Sequence, residues 1–187
     1  LGDVYKRQAL QRTYWNAVRY SDQQLGELVA RLKRDGVWDN SLVVITGDHG
    51  EDLFEDGLLG HGHNINIRQN GTFLVTNRPG VSAEGPIGLN DYRAIMLALL
   101  QGRKAHVAAK PVLMTIGGLD HPTQIGMAEA GSLITSLRLD TGEACLVEQK
   151  RCANARSLSG TFGDRVDRLI RTWGSARWQN REGARRD

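Results

Sequence analysis

Marking the apolar positions divides the chain into helix-like and strand-like stretches. From about Ala9 to Asp35, Tyr14, Val18, Leu25, Leu28, Val29 and Leu32 recur at spacings of three, four and seven. That period draws one apolar stripe along a helix. Arg19, Asp22, Gln23, Glu27, Arg31 and Arg34 take the other side. Gly36 stands at the C′ position, and Lys33 and Arg34 suit the negative end of the helix dipole. A turn around Asp39-Asn40 follows. Leu42–Thr46 is then an unbroken apolar run rich in β-branched residues. Such a run reads as a strand buried on both faces, an inner strand of a parallel sheet.

Further on, Thr72–Thr76 predicts a second buried strand, closed by Asn77-Arg-Pro-Gly80. A helix is predicted over Asn90–Gln101, with Asn90 as N-cap, Gly102 at its end, and Ile95, Leu97, Leu99 and Leu100 facing the core. Val112–Ile116 reads as a third strand, and Gly117 to Gly131 shows no clear period. Ser132–Leu139, the turn Asp140-Thr-Gly-Glu143 and Ala144–Val147 predict a β-hairpin. A last helix spans about Gly163 to Trp178, with Val166, Leu169, Ile170 and Trp173 on one face. Helix and strand alternate, so the fold class is α/β.

Composition narrows this picture only a little. A chain of 187 residues builds one sizeable core, or a core with a small appendage. Its net charge of +3 is too small to argue for nucleic acid. The C-terminal arginines (Arg165, Arg168, Arg171, Arg177, Arg181, Arg185, Arg186) read as a solvated helix face and tail. No stretch approaches the roughly 20 apolar residues of a membrane span. The opening Asp3-Val-Tyr-Lys-Arg-Gln8 resembles the translation of GAT GTG TAT AAG AGA CAG, the end of a transposase library adapter. Residues 1–8 are therefore set aside as a processing scar, and the rest is expected to be a C-terminal piece of a longer protein.

The candidate chemistry lies where the first buried strand ends. Asp48 and His49 follow Gly47 directly, and ligands in α/β sheets bind at the carboxyl ends of strands. Neighbouring strand residues point to opposite faces. Gly47 and Gly50 permit the turn that brings both side chains to one side. An Asp oxygen and a His nitrogen suit Zn²⁺ or Mn²⁺, or Ca²⁺ with more oxygen ligands. Taken alone, Asp-His-Gly reads as a plain strand-ending turn.

Taken together, the amphipathic helix ending in Gly, the run Asn-Ser-Leu-Val-Val-Ile-Thr46, Gly47-Asp-His-Gly-Glu51 and His61 resemble the sulfatase-like branch of the alkaline phosphatase superfamily. That branch holds sulfatases, phosphonate monoester hydrolases, phosphoethanolamine transferases and lipoteichoic acid synthases. The likeness runs from about Tyr14 to Gly80 and weakens through Leu100. It implies the C-terminal part of a three-layer αβα sandwich with a mostly parallel sheet, followed by a small hairpin and helix. The expected divisions are the scar (1–8), a partial sulfatase-like domain (9–116), a hairpin-plus-helix subdomain (117–179) and a disordered tail (180–187).

The resemblance also implies roles. Asp48 and His49 match the adjacent pair that coordinates the catalytic metal, Ca²⁺ in a sulfatase and Zn²⁺ or Mn²⁺ in a phospho-transferase. His61 matches the catalytic basic residue that contacts the transferred sulfate or phosphate. His63 has no firm counterpart; it reads as a substrate-side partner or as an ordinary loop histidine. The family attacks in line with a metal-bound nucleophile, forming a covalent intermediate. That nucleophile, a formylglycine in sulfatases or Thr in transferases, is expected upstream, so residues 9–187 alone are expected to be inactive.

The implied function is hydrolysis of a sulfate ester, with phosphoethanolamine or phosphoglycerol transfer as the alternative. A non-catalytic lipid-binding or regulatory module is the third reading. The expected partner is the ester substrate, with no nucleic acid. A membrane anchor upstream and the periplasmic or extracellular face of the inner membrane are implied. Two departures stand out. No lysine lies between Asp48 and Arg103, where many sulfatases carry one, and the family's Asp-Pro-x-Glu stretch is only loosely echoed by Asp140-Thr-Gly-Glu143.

The remaining residues read plainly. His106 and His121 look like linker and turn residues. Cys145 and Cys152 are close enough in sequence for a local disulfide in an oxidising compartment, or are two free thiols. Trp15, Trp38, Trp173 and Trp178 are expected to pack.

Overall fold

The computed structural model describes residues 2–118 and 120–183. It opens on α1 (Gly2–Arg34), which runs through Asp3–Gln8 without a break. The helix closes as predicted. Gly36 sits at φ +69°, the Val37 N–H reaches the Leu32 carbonyl at 3.1 Å, and the Gly36 N–H reaches Lys33 at 3.2 Å. These two bonds are the paired closure that a left-handed C′ residue permits. The predicted stripe is real as a pattern but stays largely uncovered: Tyr14, Val18, Leu25 and Leu28 are exposed, Val29 and Leu32 are half-buried, and Trp15, expected to pack, is exposed as well.

β1 (Val44–Thr46) pairs with β4 (Leu74–Thr76), and the pairing is antiparallel. This corrects the expectation of an inner parallel strand buried on both faces. The cause is coverage. Leu42 and Leu74 pack on α3 (Leu89–Leu100) through Ile95 and Leu99, whereas Val75 is exposed. An unbroken apolar run says that a strand is hydrophobic, not which neighbour it pairs with.

Between β1 and β4 lie β2 (Asp52–Leu53), β3 (Leu59–Gly60) and the short α2 (Ile67–Asn70). Beyond β4 come β5 (Val81–Ala83), α3 and β6 (Ala105–Val107), and β5 and β6 pair in parallel. α3 starts at Leu89 rather than Asn90. The Asp91 carboxylate accepts the Gly88 N–H, which makes Gly88 the cap. Of its expected core face, Ile95 and Leu99 are buried, while Leu97 and Leu100 are exposed.

The C-terminal half is an antiparallel sheet of 5 strands in the order β11-β10-β9-β8-β7. Its strands are β7 (Val112–Gly117), β8 (Pro122–Glu129), β9 (Leu133–Arg138), β10 (Glu143–Leu146) and β11 (Arg151–Asn154). The predicted hairpin is β9–β10, turning at Gly142 with φ +73°. β8 had no sequence signature because both of its faces are covered, so Gln124, Ile125, Gly126 and Met127 are all buried and polarity does not alternate. Cys145 and Cys152 face each other across β10–β11 and are bonded.

α4 (Gly160–Gly183) packs Phe162, Val166 and Leu169 against Ile125, Met127, Leu137, Ala144 and Leu146. Trp173 joins this core, whereas Ile170 is exposed. The helix includes residues 180–183 of the expected tail; residues 184–187 lie outside the described ones, as does the Trp178 side chain. On the opposite face of the sheet sits Ile65. A Cβ on Gly126 would lie 2.6 Å from its Cγ2, so only glycine leaves room there. The chain is therefore mixed α/β with several small sheets. Among the described residues no helix is long and apolar enough to cross a membrane.

Arg165 departs from the expected solvated arginine face. It is buried, with Nε donating to Thr135 Oγ1 at 3.0 Å and Nη1 to Glu148 Oε1 at 2.7 Å. Burial pushes the Glu148 carboxyl up, but Arg165 and the N–H groups of Glu148 and Ile134 outweigh it, so the net shift is downward. A carboxylate whose pKa falls on folding adds stability above its unfolded pKa, and that stability is lost as pH drops through the folded value. Glu148→Gln leaves the Arg165 charge buried and unmatched. It is expected to cost about 3 kcal/mol near neutral pH and to flatten the acid limb of stability. Denaturant titrations at several pH values check this, and equal acid sensitivity in both proteins would contradict it.

Candidate metal and oxyanion site

The Asp48-His49 corner is held at both ends by glycines that have no room for a side chain. The Gly47 N–H donates to Thr72 Oγ1 at 3.1 Å, and a Cβ there would lie 2.6 Å from the same oxygen. The Gly50 N–H donates to the Gln69 carbonyl at 3.0 Å. A Cβ on Gly50 would lie 1.9 Å from the Arg68 carbonyl oxygen. The strand thus ends against residues 68–72, and the turn between the glycines presents Asp48 and His49 to solvent.

His49 turns Nδ1 toward the Gly50 carbonyl at 2.9 Å, and its Nε2 lies 3.7 Å from Asp48 Oδ2. Asp48 is 88% exposed at its side chain. Hydrogen bonding from the backbone N–H groups of Asp48 and His49, then the nearby His49 ring, holds its carboxyl below the usual range. It is available as an ionised oxygen donor.

After Gly50 the chain forms the β2–β3 hairpin. Asp52 pairs with Gly60, so the hairpin returns His61 to the side of Glu51. His61 Nδ1 lies 3.2 Å from Glu51 Oε2, and the His61 and His49 rings stand 3.8 Å apart at 36°. One ligand atom from each of His49, Glu51 and His61 lies within 4.8 Å of the others. Two imidazoles and a carboxylate suit a borderline divalent cation such as Zn²⁺, with Mn²⁺ also accommodated. A His whose other ring nitrogen is tied to a backbone carbonyl, as in His49, is the usual form of a metal-ligating imidazole.

The structure therefore brings His49 and His61 together and sets Asp48 at their margin. His63 is exposed, with Nε2 within 3.6 Å of the Cβ position on Gly60, outside the three-residue cluster. Glu51 is the residue that sequence reasoning does not single out as a site residue. The signal for it is register: a tight hairpin beginning at residue 52 and ending at residue 60 makes 51 and 61 neighbours. His106 lies elsewhere, opposite Ser82 on β5–β6, with Nδ1 3.1 Å from Ser82 Oγ and Nε2 3.4 Å from Glu84. His121 is exposed in the turn before β8.

Comparison with known proteins matches a stretch that includes this corner. Residues 3–75 match the family model described as Sulfatase. The multifunctional alkaline phosphatase superfamily protein PehA of Trinickia caryophylli is 39% identical over 51 residues, which is 27% of this chain and 10% of that relative. The chain thus spans only a small part of the relative's length. No solved structure matches. The family match over residues 3–75 and the likeness to that relative together support a sulfatase-like reading of this part of the chain.

The glycine requirement is directly testable. Gly50→Ala forces a methyl group into the Arg68 carbonyl and is expected to cost about 3 kcal/mol. It should also remove the proton NOE contacts between the His49 and His61 rings. Unchanged stability with the ring contacts intact would contradict the packing described.

Proposed function

We propose that the chain supplies the metal- and oxyanion-binding corner of a sulfatase-family hydrolase acting on sulfate esters. The observation that carries this reading is the convergence of His49, Glu51 and His61 beside Asp48 at the end of β1. Asp48 and His49 would hold the metal. Glu51 would orient His61 through Nδ1, leaving Nε2 to contact a non-bridging oxygen or the leaving oxygen of the ester. The cation, when bound, supplies Lewis-acid polarisation of the ester oxygens. The attacking nucleophile would come from sequence upstream of Ala9.

A second reading, hydrolysis or transfer of a phosphate ester, is favoured by the donor set. Imidazole-rich sites suit Zn²⁺ better than Ca²⁺, which prefers an all-oxygen shell. We further propose that, in a longer protein, the uncovered stripe of α1 and the open β1–β4 pair join the three-layer sandwich implied by the resemblance. The Cys145–Cys152 bridge supports an oxidising location such as the periplasm.

The test expresses the chain together with its upstream sequence and assays aryl sulfate and aryl phosphate cleavage. Each assay is run with Ca²⁺, Mn²⁺ or Zn²⁺ after chelation. Asp48→Ala and His49→Ala are expected to abolish metal-dependent turnover. His61→Ala is expected to lower it about 10²–10⁴-fold with bound metal retained. Unchanged turnover in the Asp48 and His49 variants would overturn the site. Loss of metal from the His61 variant would make His61 a ligand instead.

A further inference from the structure

We infer that Gln69 is a positioning residue for His61, acting as a buried link between the two loops that form the site. The inference rests on the site reading above. Gln69 is only 2% exposed although its segment, residues 60–72, is rich in glycine and polar residues. Its side-chain Oε1 accepts two consecutive backbone N–H groups, from His63 at 3.0 Å and Asn64 at 3.1 Å. Its backbone carbonyl accepts the Gly50 N–H at 3.0 Å. One residue therefore holds the chain directly after His49 with its carbonyl and the chain two and three residues after His61 with its side-chain amide oxygen.

The clamp is itself held. Asn66 caps α2 by accepting the Gln69 N–H at 2.8 Å. Gln69 Nε2 faces Oδ2 of Asp52, a fully buried residue, at 3.5 Å. Ile65, between the clamped Asn64 and the cap Asn66, fits the notch at Gly126 in β8. Glycines 60 and 62, both at positive φ, flank His61 and leave the backbone around it conformationally free. With Gly60 paired to Asp52 on one side of His61, the two bonds to Oε1 hold the chain on the other side and so help set where the His61 ring comes to rest beside His49.

The test uses the 187-residue chain without metal, so it is independent of whether the site reading holds. In the wild-type protein the His63 and Asn64 amides are expected to exchange with solvent about tenfold or more slowly than the neighbouring Gly62 amide. Gln69→Met, similar in size but unable to accept, is expected to remove that protection and the NOE contacts between the His49 and His61 rings. The amides of Ile125 and Met127 in β8 should be unaffected. The double variant Asp52→Asn, Gln69→Glu exchanges donor and acceptor across the same contact and should restore both signals. Two outcomes would overturn the inference: wild-type His63 and Asn64 exchanging as fast as Gly62, or ring contacts that persist in Gln69→Met. If Gln69→Met unfolds and β8 also loses protection, the double variant decides. Recovery of the ring contacts supports the clamp, and a folded double variant without them overturns it. Failure of the metal or substrate assignment would appear only in the activity and metal measurements, with these signals intact.

Discussion

Two glycine-rich loops cannot hold a catalytic geometry by themselves, because each residue free to rotate costs roughly 1–2 kcal/mol of conformational entropy to fix. The site of this protein depends on a hydrogen-bond bracket that meets that cost at one buried residue. The Gln69 backbone carbonyl takes the N–H of Gly50, and its side chain takes those of His63 and Asn64. The hairpin between the loops does the rest through register, since pairing Asp52 with Gly60 makes Glu51 and His61 neighbours. His49, Glu51 and His61 converge although no element longer than a few residues carries them.

The bracket has a rigid support. The C-terminal sheet and α4 share one apolar core, pinned further by the Arg165–Glu148 pair and the Cys145–Cys152 bridge. The face away from α4 meets the site loop at the Gly126 notch, where Ile65 sits. Functional side chains on loops keep their geometry when the loop is fastened to rigid elements. In this chain the fastening runs from the sheet through Ile65 and Asn66 to Gln69. The contrast with α1 is plain: its apolar stripe is regular, yet Tyr14, Val18, Leu25 and Leu28 lie open to solvent.

Periodicity made the long elements legible. The helix ending at Gly36, the hairpin around Gly142 and the core positions Val166 and Leu169 were all readable from spacing and turn residues. The Asp48-His49 corner was legible because glycines bracket it and because the order of motifs resembles a known family. Partner choice was not legible. Leu42–Thr46 looks the same whether its neighbour runs parallel or antiparallel, and β8 loses its alternation once both faces are covered. Glu51 and Gln69 escaped for a related reason. Their importance lies in contacts across a hairpin and a short turn, and side-chain chemistry read one position at a time does not reveal them.

The site assignment rests on the corner beyond β1 holding a cation through the His49 imidazole. Zinc K-edge X-ray absorption on the chain loaded with one equivalent of Zn²⁺ addresses this most directly. The predicted result is a nitrogen and oxygen shell at about 2.0–2.1 Å with the outer-shell scattering of coordinated imidazole, lost in His49→Ala. A spectrum of hydrated zinc alone, or imidazole scattering unchanged by that substitution, would contradict it.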